Sequence, residues 1–151
     1  MGEKAKFKDN IEAIRTLQII ESERRPATHE EQAIMARYTG WGGLSKAFDE
    51  SAENWNNEHT QLKNLLTKSE WESAMKSTLT AYYTDHQIIE SIYNKLSDFG
   101  FTGGKILDPS MGTGNFFSVI PNKISDNSQL TGYEIDKLTG RIAKQLYPNA
   151  L

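Results

Sequence analysis

The chain has 151 residues, a net charge of −3 and no cysteine. This length suffices for one domain with a real core, in which roughly two thirds of the unfolded surface becomes buried. The lack of cysteine excludes disulfides, thiolate zinc sites and cysteine nucleophiles, and it is compatible with a reducing cytoplasm. No apolar run approaches the ~20 residues that span a bilayer, and the first residues lead into no hydrophobic signal core, so a soluble cytoplasmic protein without a membrane partner is expected.

The first half of the chain shows helical patterns. Apolar residues at helical spacing predict a helix over residues 9–24, which Pro26 ends. Thr28 followed by Glu31 is a capping-box signal for a second helix through about Tyr38. A short element is expected at residues 45–48, followed by a polar loop over residues 49–60. Helical patterns resume over residues 61–66 and 71–75. We therefore expect a helical N-terminal region, residues 1–77.

Three glycines surround one indole in Gly40-Trp41-Gly42-Gly43. Two interpretations stay open for Trp41. It fills the core at a tight turn, which is the favoured interpretation, or it lines a mouth where a base stacks.

Charged residues of both signs alternate along the chain, whereas a self-sufficient DNA-binding protein usually gathers its cations on one face. The lysines at positions 4, 6 and 8 stand among acids, so a solvated mixed-charge face is favoured over a phosphate-binding patch. The histidines at positions 29, 59 and 86 have no ligand spacing. They are interpreted as solvated or capping residues, and no metal is expected.

The second half alternates helices with strands. Thr84 with Gln87 is a capping-box signal for a helix that Gly100 ends. Residues 105–108 and 129–133 predict two strands, and residues 114–120 and 136–146 predict the helices that follow them. This order predicts an α/β fold with a right-handed parallel crossover. Because two strands leave their edges unpaired, we expect the remainder of a larger polypeptide, or a homo-oligomer, to cover the open sheet edge.

A ligand site is predicted where the two strands end. Asp108 ends the first strand, and Gly112 and Gly114 form a tight turn that opens a helix, whose free N–H groups suit a carboxylate. Glu134 follows the second strand, 22 residues after Gly112, about where an acid meets the hydroxyls of a ribose. Two acids at two strand ends predict one adenosine-like ligand.

These segments resemble a known family. Asp-Pro-Ser-Met-Gly-Thr-Gly-Asn-Phe, residues 108–116, resembles the first motif of S-adenosylmethionine-dependent N6-adenine DNA methyltransferases, and Tyr-Glu-Ile-Asp, residues 133–136, resembles their second. Residues 80–89, which contain Tyr-Tyr-Thr at positions 82–84, are similar to the segment ahead of the first motif, with Asp85 in place of a proline. The matches cover residues 78–147. Residues 37–44 are similar to the leading segment of large phage and plasmid proteins that join a methyltransferase to a helicase.

The resemblance implies a helical N-terminal region followed by the first half of a Rossmann-like sheet, with residues 78–151 as a partial domain that binds S-adenosyl-L-methionine. In that family the loop amides and the Thr84 hydroxyl would face the methionine carboxylate, and Asp108 would lie by the ammonium. Glu134 would accept from both ribose hydroxyls. The cofactor-binding residues implied are Tyr83, Thr84, Asp108, Ser110, Gly112, Thr113, Gly114, Glu134 and Ile135, the last against the adenine face.

The family's catalytic Asn-Pro-Pro-Tyr sequence is missing, because none of the four prolines is adjacent to another. The resemblance therefore implies the front part of an adenine-specific enzyme, without catalytic residues and inactive alone. A full-length parent would contact DNA and methylate an adenine extruded from the duplex.

The same residues disfavour two other kinds of nucleotide-binding loop. A dehydrogenase loop is disfavoured because Phe117 occupies the place of the third glycine, and Gly103-Gly104-Lys105 lacks the other residues of a phosphate-binding loop. A non-catalytic interaction or regulatory module, which keeps such a domain for its shape, remains the alternative.

Overall fold

The computed structural model describes residues 2–150. Met1 and Leu151, which begin and end the two predicted regions, lie outside the described residues. The chain divides into two compact units on either side of the bond between Tyr82 and Tyr83. The division expected from the sequence follows residue 77. Each unit is described by itself.

The N-terminal unit is helical. Its α-helices are α1 (Glu3–Glu23), α2 (His29–Met35), α3 (Asn56–Leu65) and α4 (Lys68–Ser77), and two 3₁₀ turns cover Ser45–Phe48 and Glu53–Trp55. The predicted polar loop over residues 49–60 is wrong in its second half. Trp55 is buried there, and it directly precedes the first turn of α3.

The capping box at the start of α2 is confirmed. The Thr28 hydroxyl accepts from the Glu31 amide at 3.3 Å, and the Thr28 amide donates to the Glu31 carboxylate at 2.8 Å. The Arg25 guanidinium donates to both oxygens of that carboxylate, at 2.6 and 2.7 Å. The chain between α1 and α2 is thus fixed by one acid that serves two partners.

Trp41 fills the core of the N-terminal unit, as the favoured interpretation predicted. Its side chain is 2% exposed and meets Phe7, Tyr38 and Phe48 edge to face, with ring centroids 6.3, 6.3 and 5.4 Å away. Asn10 in α1 holds the loop before the indole, because its amide nitrogen donates to the Gly40 carbonyl at 2.6 Å and its oxygen accepts from the Thr39 amide at 2.9 Å.

His59 contradicts the interpretation of the histidines as solvated or capping residues. Its ring is buried edge to face against Trp71 at 5.1 Å, with Nε2 3.5 Å from a carboxylate oxygen of Glu50. His59 lies in the first turn of α3, on the face of the helix that packs against the aromatic core. His29 and His86 are exposed at the first residues of helices, as expected.

The C-terminal unit contains the sheet. Its elements are α5 (His86–Asp98), β1 (Lys105–Asp108), α6 (Asn115–Ser118), α7 (Asn122–Ser125), β2 (Gln129–Gly132) and α8 (Lys137–Leu146). The two strands pair in parallel, with Lys105 opposite Gln129 and Asp108 opposite Gly132. The fold is therefore α/β with a two-stranded parallel sheet, as predicted at that level. Each strand has its second edge open among the described residues.

Local details differ from the prediction. The capping box at Thr84 is wrong, because Asp85 caps α5 through its carboxylate, which accepts from the Gln87 amide at 2.8 Å. Helix α6 has four residues instead of the predicted seven, since Pro121 follows it closely, and α7 was not predicted.

A small core lies between α5 and β1. Ile89, Tyr93 and Ile124 form it, and Ile106 of β1 packs against them. Beside this buried face, α5 and the residue that caps its C-terminus expose an apolar stripe that consists of Ile88, Ile92, Leu96 and Phe99. None of the described helices combines the length and the apolar composition that crossing a bilayer requires.

Candidate ligand site at the strand ends

Both predicted acids lie at the carboxyl end of the sheet. Asp108 is the last residue of β1 and pairs with Gly132, the last residue of β2, and Glu134 follows two positions later. The Asp108 carboxylate accepts from the Ser110 amide at 3.1 Å, so it is turned towards its own loop. The parallel register thus brings the two strand ends together, as the sequence argument required.

Glu134 ties the second strand end to the glycine bend, residues 111–114. Its Oε2 accepts from the Gly112 amide at 2.9 Å, and its Oε1 accepts from the Asp136 amide at 2.8 Å. Each oxygen of an ionised carboxylate has room for about two hydrogen bonds. The carboxylate is therefore held in one orientation and keeps acceptor capacity on both oxygens for an incoming donor.

The glycines of the bend are required by two tyrosine rings. Gly112 has φ +56°, and a Cβ built there would lie 2.5 Å from Cε1 of Tyr83. Gly114 has φ +89°, and a Cβ there would overlap the ring of Tyr147. The glycines were expected to leave room for a ligand, but the rings of Tyr83 and Tyr147 occupy the positions that their side chains would take.

Tyr83 connects the segment before α5 to α8. Its hydroxyl hydrogen-bonds with the side chain of Thr139, which in turn donates to the Asp136 carboxylate at 2.6 Å. Burial, and then the negative charge of Glu134, raise the pKa of Tyr83 above its ordinary value. Tyr83 therefore stays neutral near pH 7, and its ring braces the bend at Gly112.

The other predicted residues surround the bend more loosely. Thr84 is exposed, and its carbonyl accepts from the Asn115 side chain at 3.1 Å. Thr113 is buried, and Ser110 is exposed. Ile135 is 97% exposed beside the strand ends and touches no core. The predicted anchoring by the helix after the bend is weak, because α6 has a single turn.

Sequence reasoning missed Thr139, Asn115 and Tyr147. Thr139 was recoverable, because Asp136-x-x-Thr139 is an N-cap spacing: the Asp136 carboxylate accepts from the Thr139 amide at 2.8 Å. The contacts of Asn115 and Tyr147 depend on tertiary packing and have no local signal.

A cleft of about 510 Å³ opens beside Glu134, between the end of β2 and α8. Its walls are Met111, Gly132, Tyr133, Glu134, Gly140, Ala143, Lys144, Tyr147 and Ala150. Most of this lining is apolar. Among residues 2–150, no three histidine, aspartate or glutamate side chains gather as metal ligands.

The chain is similar to "Defense against restriction protein B" of Escherichia phage P1, with 27% identity over 121 residues. The match covers 80% of this chain, which spans about 4% of the length of that relative. No protein-family model matches the sequence, and no solved structure matches the fold.

These comparisons correct the family assignment made from the motifs. No methyltransferase family or fold is matched, and the relative that is found is named for defence against restriction. The nine-residue glycine motif and the Tyr-Glu-Ile-Asp motif are short. The geometry they encode, an acid and a glycine bend at the end of a strand, serves many nucleotide-like ligands and does not identify one family.

Proposed function

We propose that the C-terminal unit binds a cationic adenosine-type ligand, with S-adenosyl-L-methionine as the candidate, at the carboxyl ends of β1 and β2. The observation that carries this proposal is the Glu134 carboxylate, fixed by the Gly112 and Asp136 amides. Its remaining acceptor capacity suits the two hydroxyls of a ribose. The ligand would lie across the strand ends, as in a Rossmann-like fold. This proposal is based on the residues at the strand ends and on no family assignment.

The charges of the site support a cation over a phosphate. Residues 108–114 and 132–136 contain three acids, Asp108, Glu134 and Asp136, and no lysine or arginine, and Lys144 is the one cation among the residues that line the adjoining cleft. Carboxylates repel a di- or triphosphate and attract ammonium and sulfonium groups.

Asp108 at the end of β1 is the acid proposed for the ammonium group. The Gly112 and Gly114 amides, which were expected to face the carboxylate of the ligand, donate to Glu134 and to the Met111 carbonyl instead. The hydroxyls of Ser110, Thr113 and Thr84 are therefore the donors proposed for that carboxylate, with Ile135 against the adenine.

The role we propose is binding without catalysis. The relative's name supports a place for this chain in defence against restriction. There, DNA would be contacted by other parts of a full-length protein. The open edges of the sheet and the apolar stripe of α5 support coverage by further polypeptide or by a second copy.

Titration calorimetry with S-adenosylmethionine and S-adenosylhomocysteine tests the proposal. We expect both ligands to bind the wild-type chain and the affinity to fall at least about tenfold in Glu134→Gln. Glutamine keeps the shape of the side chain but removes the charge that strengthens its hydrogen bonds. Asp108→Asn should weaken S-adenosylmethionine comparably. Glu90→Gln, on the exposed side of α5, is the matched control.

If the wild-type chain shows no binding heat at millimolar ligand, the proposal is overturned and the non-catalytic interaction module is left as the function. Equal affinity of the wild type and Glu134→Gln would show that the ligand binds elsewhere. Preference for ATP over S-adenosylmethionine would contradict the charge argument.

A further inference from the structure

The outer edge of β1 has unpaired backbone groups. The Gly104 and Asp108 carbonyls accept from backbone amides on the side of β2, both at 2.9 Å. Because successive residues of a strand alternate in direction, Ile106 also faces β2, whereas the N–H and C=O groups of Lys105 and Leu107 face away from it. Among residues 2–150, no hydrogen bond outside the sheet reaches these two residues. Their backbone groups therefore form an open edge, with which an extended chain can pair.

The apolar stripe of α5 faces the space beyond this edge. Ile89 and Tyr93 form the buried face of α5, against which Ile106 of β1 packs. The Tyr93 hydroxyl donates to the Phe116 carbonyl at 3.0 Å, so α6 covers the side of α5 towards β2. Ile88, in the stripe, lies about 100° round the helix from Ile89. In a helix that runs back to β1 beside a right-handed crossover, this rotation leads away from α6 and towards the level of the sheet.

The open edge and the stripe together select an extended chain. The stripe residues are between 37 and 77% exposed. They cover residues 88–99, a helical rise of about 16 Å, which equals the length of about five residues of strand. A strand beside β1 would pair with Lys105 and Leu107 and place every second side chain against the stripe. A helix could cover the stripe, but its backbone groups are already paired and cannot satisfy the edge.

A second copy of the chain does not fit this groove. Pairing of β1 with β1 of a second copy about a two-fold axis would place each α5 over the partner's strand, where the partner's own helices pack. Helices need about 8–10 Å between their axes, whereas neighbouring strands are only about 4.8 Å apart. The occupant is therefore a strand that carries no helix on this face of the sheet.

We propose that the groove between the open edge of β1 and the apolar stripe of α5 binds an extended segment of another polypeptide as an added strand, with an apolar side chain at every second position. Backbone bonds to Lys105 and Leu107 hold the segment, and Ile88, Ile92 and Leu96 cover its apolar side chains. The groove runs along the side of the sheet, so it does not depend on the ligand proposed for the strand ends.

Hydrogen exchange measured by NMR tests the pairing, with the blocked peptide Val-Thr-Val-Lys-Val-Thr as the probe. At a peptide concentration of ten times Kd, exchange of the Lys105 and Leu107 amides should slow about tenfold. The amides of Leu130 and Gly132, which face the open edge of β2, should stay unchanged. No slowing at Lys105 and Leu107 with millimolar peptide would overturn the proposal. Slowing by a higher protein concentration alone would identify a second copy and would also overturn it.

Methylation of the peptide backbone tests whether the bound peptide is a strand. One edge of the strand presents the amides of the valines, and the other edge presents those of the remaining residues. Of two peptides, one N-methylated at the valines and one at the other residues, one should lose binding and the other should retain it. Equal binding of both peptides, or loss of binding by both, would contradict the proposal.

A substitution in the stripe tests the apolar contact. Ile92→Lys should lower the peptide affinity at least about tenfold, because a large apolar side chain leaves the contact. Ile19→Lys, at an exposed isoleucine of α1, is the matched control and should have no effect. Equal affinities of these two variants would overturn the proposal. Calorimetry of Ile92→Lys with S-adenosylmethionine keeps the two proposals separate, since that binding should persist.

Discussion

Gly112 contacts both the Glu134 carboxylate of the proposed site and the Tyr83 ring that packs behind the bend. Its amide donates to Glu134, its φ is positive, and Tyr83 occupies the position of the missing side chain. A β-branched residue is strained in this conformation and would push the ring away. We expect Gly112→Val to abolish binding of S-adenosylmethionine in calorimetry while the helical circular dichroism stays largely intact.

Gly140→Ala is a second glycine substitution, in the wall of the cleft, that is expected to leave the fold intact. Gly140 lies inside helix α8, and a Cβ there would lie 3.7 Å from the Cβ of Glu134, which is an ordinary van der Waals contact. Helix propensity predicts a gain of up to about 1 kcal/mol in the free energy of unfolding. Retained ligand affinity in Gly112→Val would contradict the placement of the site.

At this scale the sequence predicted which residues lie at the strand ends, and it missed why the glycines are needed there. Asp108, Gly112 and Glu134 were predicted to share one end of the sheet because parallel strands end at the same edge, and the register places them there. The glycines were attributed to ligand approach, yet the rings of Tyr83 and Tyr147 need the space. Such packing reasons are not local and leave no spacing to recognise.

The loop before Trp41 depends on one buried side chain of α1. Asn10 is fully buried and satisfies the Gly40 carbonyl and the Thr39 amide. Asn10→Ala should leave both backbone groups unpaired and lower the free energy of unfolding by about 2–4 kcal/mol. Urea denaturation measures this change, and Asn57→Ala on the exposed side of α3 should have a far smaller effect. Equal losses of stability in Asn10→Ala and Asn57→Ala would show that the hydrogen bonds of Asn10 do not stabilise the fold.

The ion pair between Arg25 and Glu31, in the connection from α1 to α2, should make the free energy of unfolding depend on pH. Hydrogen bonds from the Arg25 guanidinium lower the pKa of Glu31 from its ordinary 4.5 to about 2. Because the folded-state pKa is the lower one, the stabilisation is fully present above about pH 4.5 and is lost as pH falls through about 2. Glu31→Gln should therefore be less stable than the wild type at pH 7, and the two should converge towards pH 2.

The measurement is the urea midpoint of both proteins between pH 2 and pH 7. Glutamine keeps the shape of the capping box, so the difference isolates the charge. Glu72→Gln, on the exposed face of α4, should follow the wild type at every pH. A difference between the wild type and Glu31→Gln that is constant with pH would contradict the argument.

Element types were predicted better than element ends. The capping box at Thr28 and the strand at residues 105–108 were right because each has a local cause. The start of α3 was missed because burial of Trp55 organises a polar segment, and the cap of α5 shifted to Asp85 because two adjacent residues compete for one role.

The two units of the molecule differ in their cores. Among residues 2–150, 15 of the 22 buried apolar side chains lie before residue 83, and 7 lie after it. We expect the C-terminal unit to unfold first, because less apolar surface is buried there. All three tryptophans, at positions 41, 55 and 71, belong to the N-terminal unit, so their fluorescence reports that unit alone.

In urea, circular dichroism should therefore begin to fall at a lower concentration than tryptophan fluorescence changes. S-adenosylmethionine should move the first transition and leave the fluorescence transition in place, with a shift of about 2.7 kcal/mol at a ligand concentration of 100 times Kd. Coincident transitions by both probes would show a single cooperative unit. A ligand shift seen only in fluorescence would place binding in the N-terminal unit.

The sheet of two strands with open edges has a practical consequence. When α5 melts away from β1, the apolar face of that strand is uncovered beside its open edge, which can then pair with another chain. Samples warmed past the first transition should acquire thioflavin T fluorescence, and a charge placed at Leu107 should delay it. Storage in the cold, below the first unfolding transition, is then the condition that slows this aggregation.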